Sequence, residues 1–468
     1  MNKTLTVRPH FIYVFTLLYP YLSLLVIPIV REFYRFITGK DSTLSSFFTA
    51  EVAMLIIAFL TAVLKLRRTR LEFHGSIRVQ KGLFFKVNYT IPEHCERVIM
   101  LESNPFSRLI GVYRLKIYTE AGRRRRPDEK LPISAKTARL IFEKYDFCGQ
   151  TVKSNSVGNV IMSAALSSSF TGFLLAFPIV RFIVSTVGEG TASIFKRVEA
   201  SKIDPEWLLA AIKALPIAVL IGYIVSFLVI FFRNCGFSSA KNGDRIKLDS
   251  GILPHRTVFL KESSVNAVKI VTAPLMRLAN KTAVKFSACG FGRAKGEIGL
   301  LVPCVKPQFV KGLAEWLLPS VKIPQKALTP NKKAVRRCFW LPMFSGGLAV
   351  SFGYVILRHF PNIGSTVVSA MIITLVLLLM WLAARILLVF LGCISIEHGV
   401  CKAVGRSGFG TVELLCPLKN IEHIKITRTP FDQRHGHCSV TVQTAFKNRD
   451  KVKMKYLDYN SVLGFLKI

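Results

Sequence analysis

An internal repeat constrains this chain more than any other feature. Three times, two long apolar stretches are followed by a basic segment with strand-like alternation and a short closing helix. Each basic segment carries a Gly-aliphatic turn: Gly82-Leu83, Gly251-Ile252 and Gly399-Val400. A Pro-apolar pair with a nearby arginine follows in each: Pro105-Phe106, Pro274-Leu275 and Pro430-Phe431. The glycine-to-proline spacing is about eight residues longer in the third copy. Such periodicity predicts one supersecondary unit used three times.

The apolar stretches have the length of membrane spans, since about 20 apolar residues cross a hydrocarbon core of roughly 30 Å. Six spans are predicted: Phe11–Val30, Phe47–Leu66, Val160–Val180, Ala214–Phe232, Cys338–Leu357 and Val367–Ala384. They form three hairpins, over 11–66, 159–232 and 338–385. Soluble domains are predicted over 67–150, 233–322 and 386–468. The expected fold class is therefore a multi-pass α+β membrane protein.

Charge placement predicts the orientation. The 468-residue chain carries a net charge of +37, and 51% of its residues are hydrophobic. Lys and Arg concentrate at the span ends that face the soluble segments, as at Arg67, Arg68 and Arg233. The positive-inside rule then predicts a cell-membrane protein with both termini and all three soluble segments in the cytoplasm. Its ten cysteines form no C-x-x-C pair, so no zinc site is expected.

Each soluble segment reads as short strands followed by one helix. In the first, β-branched runs are separated by Gly and Asn-Pro turns, which is typical of an antiparallel sheet. Ser134 is a candidate N-cap for a helix over Ala135–Tyr145. The closing helices of the second and third segments are predicted over Pro307–Leu318 and Tyr459–Leu466. The third segment is expected to open with a buried strand over Ile386–Ile396.

The first segment resembles the bacterial pleckstrin-homology-like (PH-like) family. The resemblance rests on these motifs: Gly82-Leu83, Ile91-Pro92, Arg97-Val98, Pro105-Phe106-Ser107-Arg108-Leu109-Ile110-Gly111 and Leu115–Gly122. The whole chain resembles that family's YdbT-type three-domain architecture. The second segment lacks the Ile-Pro pair, and the third has Cys416-Pro417 there and an insertion around Gly405–Gly410. The resemblance implies a seven-stranded curled sheet capped by a C-terminal helix in each domain. It also implies a smaller PH-like membrane protein as a partner.

Basic loops before the last strands are the leading site candidates. Their residues are Arg123, Arg124, Arg125 and Arg126 in the first segment, Arg293 and Lys295 in the second, and Lys447, Arg449, Lys451, Lys453 and Lys455 in the third. In the third, Val452 and Met454 alternate with lysines, which predicts a strand with one cationic face. Such residues suit lipid head groups, since each is worth about 1 kcal/mol near an anionic leaflet. The alternative is a solvated loop with edge lysines that block strand pairing.

Other patterns favour structure over chemistry. A second basic cluster surrounds the first turn of each segment: Arg78, Lys81, Lys86, Arg245, Lys247, Arg256, Lys402 and Arg406. Its match to phosphoinositide sites is compositional only. The Pro-apolar-Arg landmark is predicted to make a turn, with the apolar residue packed inward. His435 and His437 flank a glycine, a weak metal signal, and no catalytic motif is found.

These observations predict a non-catalytic integral membrane scaffold or adaptor without cofactor or metal. It would present three cytoplasmic PH-like domains to anionic membrane lipids or to a membrane protein partner, or form a homo-oligomer. The alternative is a transport or export component whose six spans line a path, with Glu51 as its leading intramembrane charge. Nucleic acid is not expected as a partner, because the charge is divided among separate segments.

Overall fold

The computed structural model describes most of the chain and shows the same layout of elements three times. The described residues are 5–22, 44–83, 85–93, 95–119, 127–147, 149–167, 205–288, 291, 299–317, 319, 324, 327–330, 335–359, 364–407, 410–444 and 451–466. Each repeat has a first sheet half that ends in a hairpin, a second half of three strands, and a closing helix. A five-residue helix follows the first strand of every second half.

Repeat 1 contains β1 (Leu5–Val7), helix α1 (12–22), α2 (Leu44–Arg68), β2 (Arg70–His74), β3 (Ser76–Lys81), β4 (Val87–Ile91), β5 (Arg97–Ser103), α3 (Pro105–Leu109), β6 (Val112–Thr119), β7 (Glu129–Ser134) and α4 (Ala135–Tyr145). Repeat 2 contains β8 (Gln150–Lys153), α5 (Ser156–Leu166), α6 (Pro205–Asn234), β9 (Ser238–Asn242), β10 (Arg245–Ser250), β11 (His255–Lys261), β12 (Val265–Thr272), α7 (Pro274–Leu278), β13 (Thr282–Ala288), β14 (Leu300–Val305) and α8 (Pro307–Leu317). Repeat 3 contains α9 (Val335–His359), α10 (Gly364–Leu391), β15 (Cys393–Glu397), β16 (Val400–Ser407), β17 (Gly410–Pro417), β18 (Ile421–Thr427), α11 (Pro430–Arg434), β19 (His437–Thr444), β20 (Lys451–Asp458) and α12 (Tyr459–Leu466).

The long helices of each repeat are inserted between its first strand and the rest of its sheet. β1 precedes α1 and α2 in the chain, yet it pairs antiparallel with β2, which follows them. β8 pairs with β9 in the same way across α5 and α6. In repeat 3, a single bridge between Leu328 and Ile394 takes this place around α9 and α10. The chain therefore leaves and re-enters each sheet at neighbouring strands.

Strand pairing joins consecutive repeats into continuous sheets. The four sheets have the orders β1-β2-β3-β4, β7-β6-β5-β11-β10-β9-β8, β14-β13-β12-β17-β16-β15 and β18-β19-β20. At the first junction β5 of repeat 1 pairs antiparallel with β11 of repeat 2, from His255↔Ser103 to Leu260↔Val98. At the second, β12 pairs with β17, from Val268↔Leu415 to Thr272↔Thr411. The second half of one repeat and the first half of the next therefore form one sheet.

The apolar cores follow these junctions. One cluster belongs to repeat 1, but it includes Phe259 of β11. The next centres on repeat 2 and takes in Val98, Met100 and Tyr118 from repeat 1. A third core, in repeat 3, includes Ala267 from β12. Each junction strand alternates its side chains between two cores, so separating the repeats would expose apolar surface on both faces.

The turn glycines show that Gly399 lies one hairpin earlier in its repeat than Gly82 and Gly251 lie in theirs. Gly82 lies between β3 and β4, and Gly251 lies between β10 and β11, both with positive φ. Gly399 instead lies between β15 and β16, where Gly75 and Gly243 are its counterparts. The expected insertion around Gly405–Gly410 is therefore wrong: Gly405 and Gly410 belong to the paired strands β16 and β17. The same displacement explains why the strand predicted over Ile386–Ile396 begins too early: α10 runs to Leu391, and the strand covers Cys393–Glu397.

The multi-pass membrane fold and the cell-membrane location are contradicted. Within the described residues, no helix has both the length and the apolar character needed to cross a membrane. The chain is built mainly around four sheets, whose cores take much of its apolar content. The predicted spans over 11–30 and 160–180 also run into 23–43 and 168–204, outside the described residues.

The predicted span from Val160 shows the local reason. α5 covers 11 residues, far fewer than a crossing requires. It ends at Ser167, whose backbone is extended. Its buried face carries Met162, which joins the core of repeat 2. The described part of this apolar run is therefore a short helix packed against the core of repeat 2.

Candidate functional site

The candidate site is a cationic surface on the last sheet, which we call the terminal basic face: Lys425, Lys451, Lys453 and Lys455. Along β20 the three lysines are exposed, whereas Val452, Met454 and Leu457 between and beyond them are buried. The sequence pattern had predicted this alternation of a cationic and an apolar face. The apolar side belongs to the core of repeat 3, which anchors the strand so that its lysines point outward.

Strand register extends this face across the sheet. Lys453 lies opposite Thr441 of β19, and Thr441 lies opposite Lys425 of β18. Directly opposed residues in antiparallel strands share one face, so Lys425 and Lys453 lie on the same side. The described residues place no ion-pair partner on Lys425, Lys451 or Lys453. This leaves a positive surface able to take an anionic ligand.

On the matching face of repeat 1, the lysine of the central strand is paired and covered. When Pro105 is aligned with Pro430, Lys116 corresponds to Thr441 and Met100 corresponds to Lys425. The two residues of each pair of strands lie opposite each other in both repeats. The Lys116 ammonium Nζ is 2.8 Å from Glu102 Oε2, and both side chains are largely buried. Glu102 stands three residues before Pro105, where repeat 3 has Thr427 before Pro430. Repeat 3 therefore lacks the carboxylate that compensates the basic face in repeat 1.

Glu102 also joins the first two repeats. Arg256 of β11 lies opposite it and donates to Oε1 from Nε at 3.1 Å and from Nη2 at 2.9 Å. Burial by itself raises the pKa of the Glu102 carboxyl. The Arg256 and Lys116 cations outweigh burial and lower that pKa to about 2. The charge-assisted bonds make this group a structural clamp at the junction.

The other predicted loop residues lie outside the described residues: Arg123, Arg124, Arg125, Arg126, Arg293, Lys295, Lys447 and Arg449. The strand ends that flank 120–126 are described. Thr119 lies near Arg97, at the end of the sheet opposite Ser103 and α3. The sheet end that leads into this loop is thus remote from the short helices.

Most of the second basic cluster is paired with acids. Lys81 bonds Glu129, Lys247 lies 2.7 Å from Asp146, and Lys402 lies 2.7 Å from Glu413. Arg256 is held by Glu102. These four cations stabilise the sheets through their acidic partners, which favours a structural role over phosphoinositide binding for them.

The prediction that the apolar residue of each Pro-apolar landmark packs inward is wrong for the two that are described. Phe106 is 80% exposed and Leu275 is 49% exposed. The arginines that follow bond side-chain hydroxyls: Arg108 Nε donates to Ser103 Oγ at 2.9 Å, and Arg277 Nη2 donates to Thr411 Oγ1 at 2.9 Å. The latter contact crosses the second junction.

The histidine pattern gives no metal site. Within the parts of the chain that the structure describes, no group of three His, Cys, Asp or Glu side chains is placed to hold an ion. His437 is buried at the start of β19, opposite Asp458.

The first repeat is similar to one known family of domains. Residues 22–144 match the family model for the bacterial PH domain. Repeat 1 is therefore similar to a bacterial PH domain. This match covers repeat 1 from within the helical pair to the end of α4 and stops before repeat 2. Searches of curated proteins and of solved structures found no match.

Sequence reasoning missed the junctions. Arg256 was assigned to a possible lipid cluster, and Glu102 was not singled out. Neither residue carries a local signal, because their pairing depends on which strand edges meet. The first strands were also missed, since β1 and β8 have only three and four residues.

Proposed function

We propose that the chain is a non-catalytic scaffold that presents three PH-like units, in a YdbT-type arrangement, to an anionic lipid surface. The bacterial PH domain match supports this for repeat 1, and the recurring strand layout favours it for repeats 2 and 3. The observation that carries the proposal is the terminal basic face, where lysines alternate with core residues on a strand anchored in a packed sheet.

The lysines of β20 suit a planar anionic surface better than a small enclosed ligand. Residues i, i+2 and i+4 of a strand lie on one line, at about 6.6 Å intervals. A row of ammonium groups can therefore contact several phosphates at once. Lysine is a point charge without the planar fork of arginine, so attraction to head groups needs no single ligand geometry.

The expected strength follows from the number of charges. Each lysine near an anionic surface is worth about 1 kcal/mol. Three lysines thus supply about 3 kcal/mol, or roughly a hundredfold in partitioning. The interaction is electrostatic and screened within about 8 Å at physiological ionic strength, so it weakens as salt rises.

The test is vesicle co-flotation of the full-length protein carrying Lys451→Gln, Lys453→Gln and Lys455→Gln together. We expect roughly a hundredfold loss of binding to vesicles rich in phosphatidylserine or phosphatidylglycerol, and little change on phosphatidylcholine. A charge-matched control carries Lys136→Gln, Arg139→Gln and Lys311→Gln, three exposed cations on α4 and α8. Equal losses in both triple variants would show that only net charge matters, and unchanged binding would overturn the proposal.

We propose that the basic loop of repeat 1 also contacts anionic lipid. Replacing Arg123, Arg124, Arg125 and Arg126 with glutamine is expected to weaken binding to the same anionic vesicles. The transport alternative depends on six spans that line a path. Within the described residues no helix supplies such a span, and the Glu51 side chain lies outside them.

A further inference from the structure

The chain has two unused strand edges that match the two edges joined inside it. Each junction pairs the first strand of a second half (β5 or β12) with the last strand of the next repeat's first half (β11 or β17). The equivalents at the two ends of the array are β18 in repeat 3 and β4 in repeat 1. Both are outermost in their sheets and have no strand partner on that edge among the described residues.

Burial separates the joined strands from the open ones. Six of the seven residues of β5 are buried, and four consecutive residues of β11 are buried. In β4 only Ile91 is buried, and no residue of β18 is. Exposed edge strands present unpaired backbone groups that another strand can complete. The two ends of this chain thus offer complementary halves of one junction.

We propose that β18 of one copy pairs antiparallel with β4 of a second copy, which extends the array head to tail. The partner is a copy of this chain because its β4 is the counterpart of β11 and β17, the strands that already accept β5 and β12. This contact is heterologous, so one pairing leaves a free β4 and a free β18 at the ends. Repetition gives an open chain or a ring and not a two-fold dimer.

The charges on β18 do not prevent this pairing, but they limit its strength. Lys425 stands five residues before Pro430, and Lys269 stands five before Pro274 in β12. Lys269 lies within the second junction, opposite Leu414, so a lysine at this position is compatible with a formed sheet. The internal junctions also benefit from the high effective concentration of linked partners. The contact between copies lacks that benefit, so we expect reversible, concentration-dependent association.

The equivalence identifies substitutions that block one edge without entering a core. By hairpin register, Asn88 and Thr90 of β4 correspond to Thr257 and Phe259 of β11. The latter two are 1% and 5% exposed at their junction, whereas Asn88 and Thr90 are exposed. Asn88→Lys with Thr90→Lys should leave the free chain folded and place two lysines inside a paired edge. His423→Glu with Lys425→Glu blocks β18 in the same way.

The experiment measures the mass of the full-length protein against concentration by sedimentation velocity. Wild type should form species larger than twice the 52.4 kDa chain, and each edge-blocked variant alone should stay at one chain. Mixing the two variants should give 1:1 dimers and nothing larger, since each retains the edge that the other lacks. A control with Thr6→Lys and Thr151→Lys, exposed on the outer strands β1 and β8, should behave as wild type.

Several outcomes would overturn the inference: a single-chain wild type at all concentrations, association that survives in either edge variant alone, or a mixture that forms no dimer. Hydrogen exchange of unmodified protein gives a second test that needs no substitution. Protection of β4 and β18 amides should rise with concentration while that of β1 and β8 does not. The inference does not rest on lipid binding, because the β4 variant leaves every lysine of the terminal basic face in place.

Discussion

Replacing Glu102 with glutamine should open the first junction between repeats. The substitution leaves Lys116 and Arg256 without their carboxylate, although both side chains are at most 15% exposed. Removing one partner of a buried pair typically costs about 3 to 5 kcal/mol. The pKa gives an independent value: lowering from the ordinary 4.5 to about 2, at about 1.4 kcal/mol per unit, corresponds to about 3 kcal/mol.

The assay is hydrogen exchange of the β5 and β11 amides in full-length protein at neutral pH. A loss of about 3 kcal/mol should speed exchange there roughly a hundredfold. Glu413→Gln is the control, because its pair with Lys402 is more exposed and should cost at most about 1 kcal/mol. Equal effects of the two substitutions would refute the role of Glu102 in holding the first junction together.

The same group sets a dependence on pH. Because the folded pKa of Glu102 lies below the unfolded value, its contribution is complete above about pH 4.5 and is lost as pH falls toward about 2. Wild-type protection at the junction should therefore decline in that window, whereas Glu102→Gln should show no such decline. A wild-type profile that is flat between these values would contradict the assignment.

Two further predictions concern turns and thiols. Gly251→Ala should lower the unfolding midpoint in urea more than Gly243→Ala: both glycines have positive φ, but a Cβ at Gly251 would lie 2.2 Å from the Pro254 carbonyl oxygen while Gly243 faces open space. Equal effects would show that backbone strain alone matters. Burial raises the pKa of the thiols of three cysteines to about 12, 12 and 11: Cys401, Cys416 and Cys438. Maleimide should label these three at neutral pH only after unfolding, as followed by mass spectrometry, and rapid labelling of folded protein would contradict their burial.

The helix and strand types were more accessible from sequence than their boundaries. Ser134 caps α4 and accepts a hydrogen bond from the Thr137 backbone amide, as its position before an amphipathic run predicted. The strand expected at Ile386–Ile396 was placed too early, because Gly399 was matched to the wrong hairpin; β15 covers Cys393–Glu397. In repeats 1 and 2, glycines with positive φ occur in two hairpins, at Gly75 and Gly82 and at Gly243 and Gly251, so a single glycine does not identify which turn it occupies.

The alternation on β20 was visible in sequence because it is local, and the structure places its lysines outside and its apolar residues in a core. The fate of the other basic residues was not visible. Lys81, Lys247 and Arg256 looked like members of one cluster, yet acids distant in sequence pair with them. Ion pairing depends on which strands become neighbours, and composition carries no record of that.

Sequence by itself determined that the chain is a threefold repeat, where its closing helices fall, and which face of its last strand is charged. Those features depend on periodicity and on residues within a few positions of one another. Tertiary structure alone decided that β5 joins β11 and that β12 joins β17. Backbone hydrogen bonds between strand edges are nearly indifferent to side-chain identity, so partner choice and register are set by cores that assemble from residues far apart in the chain.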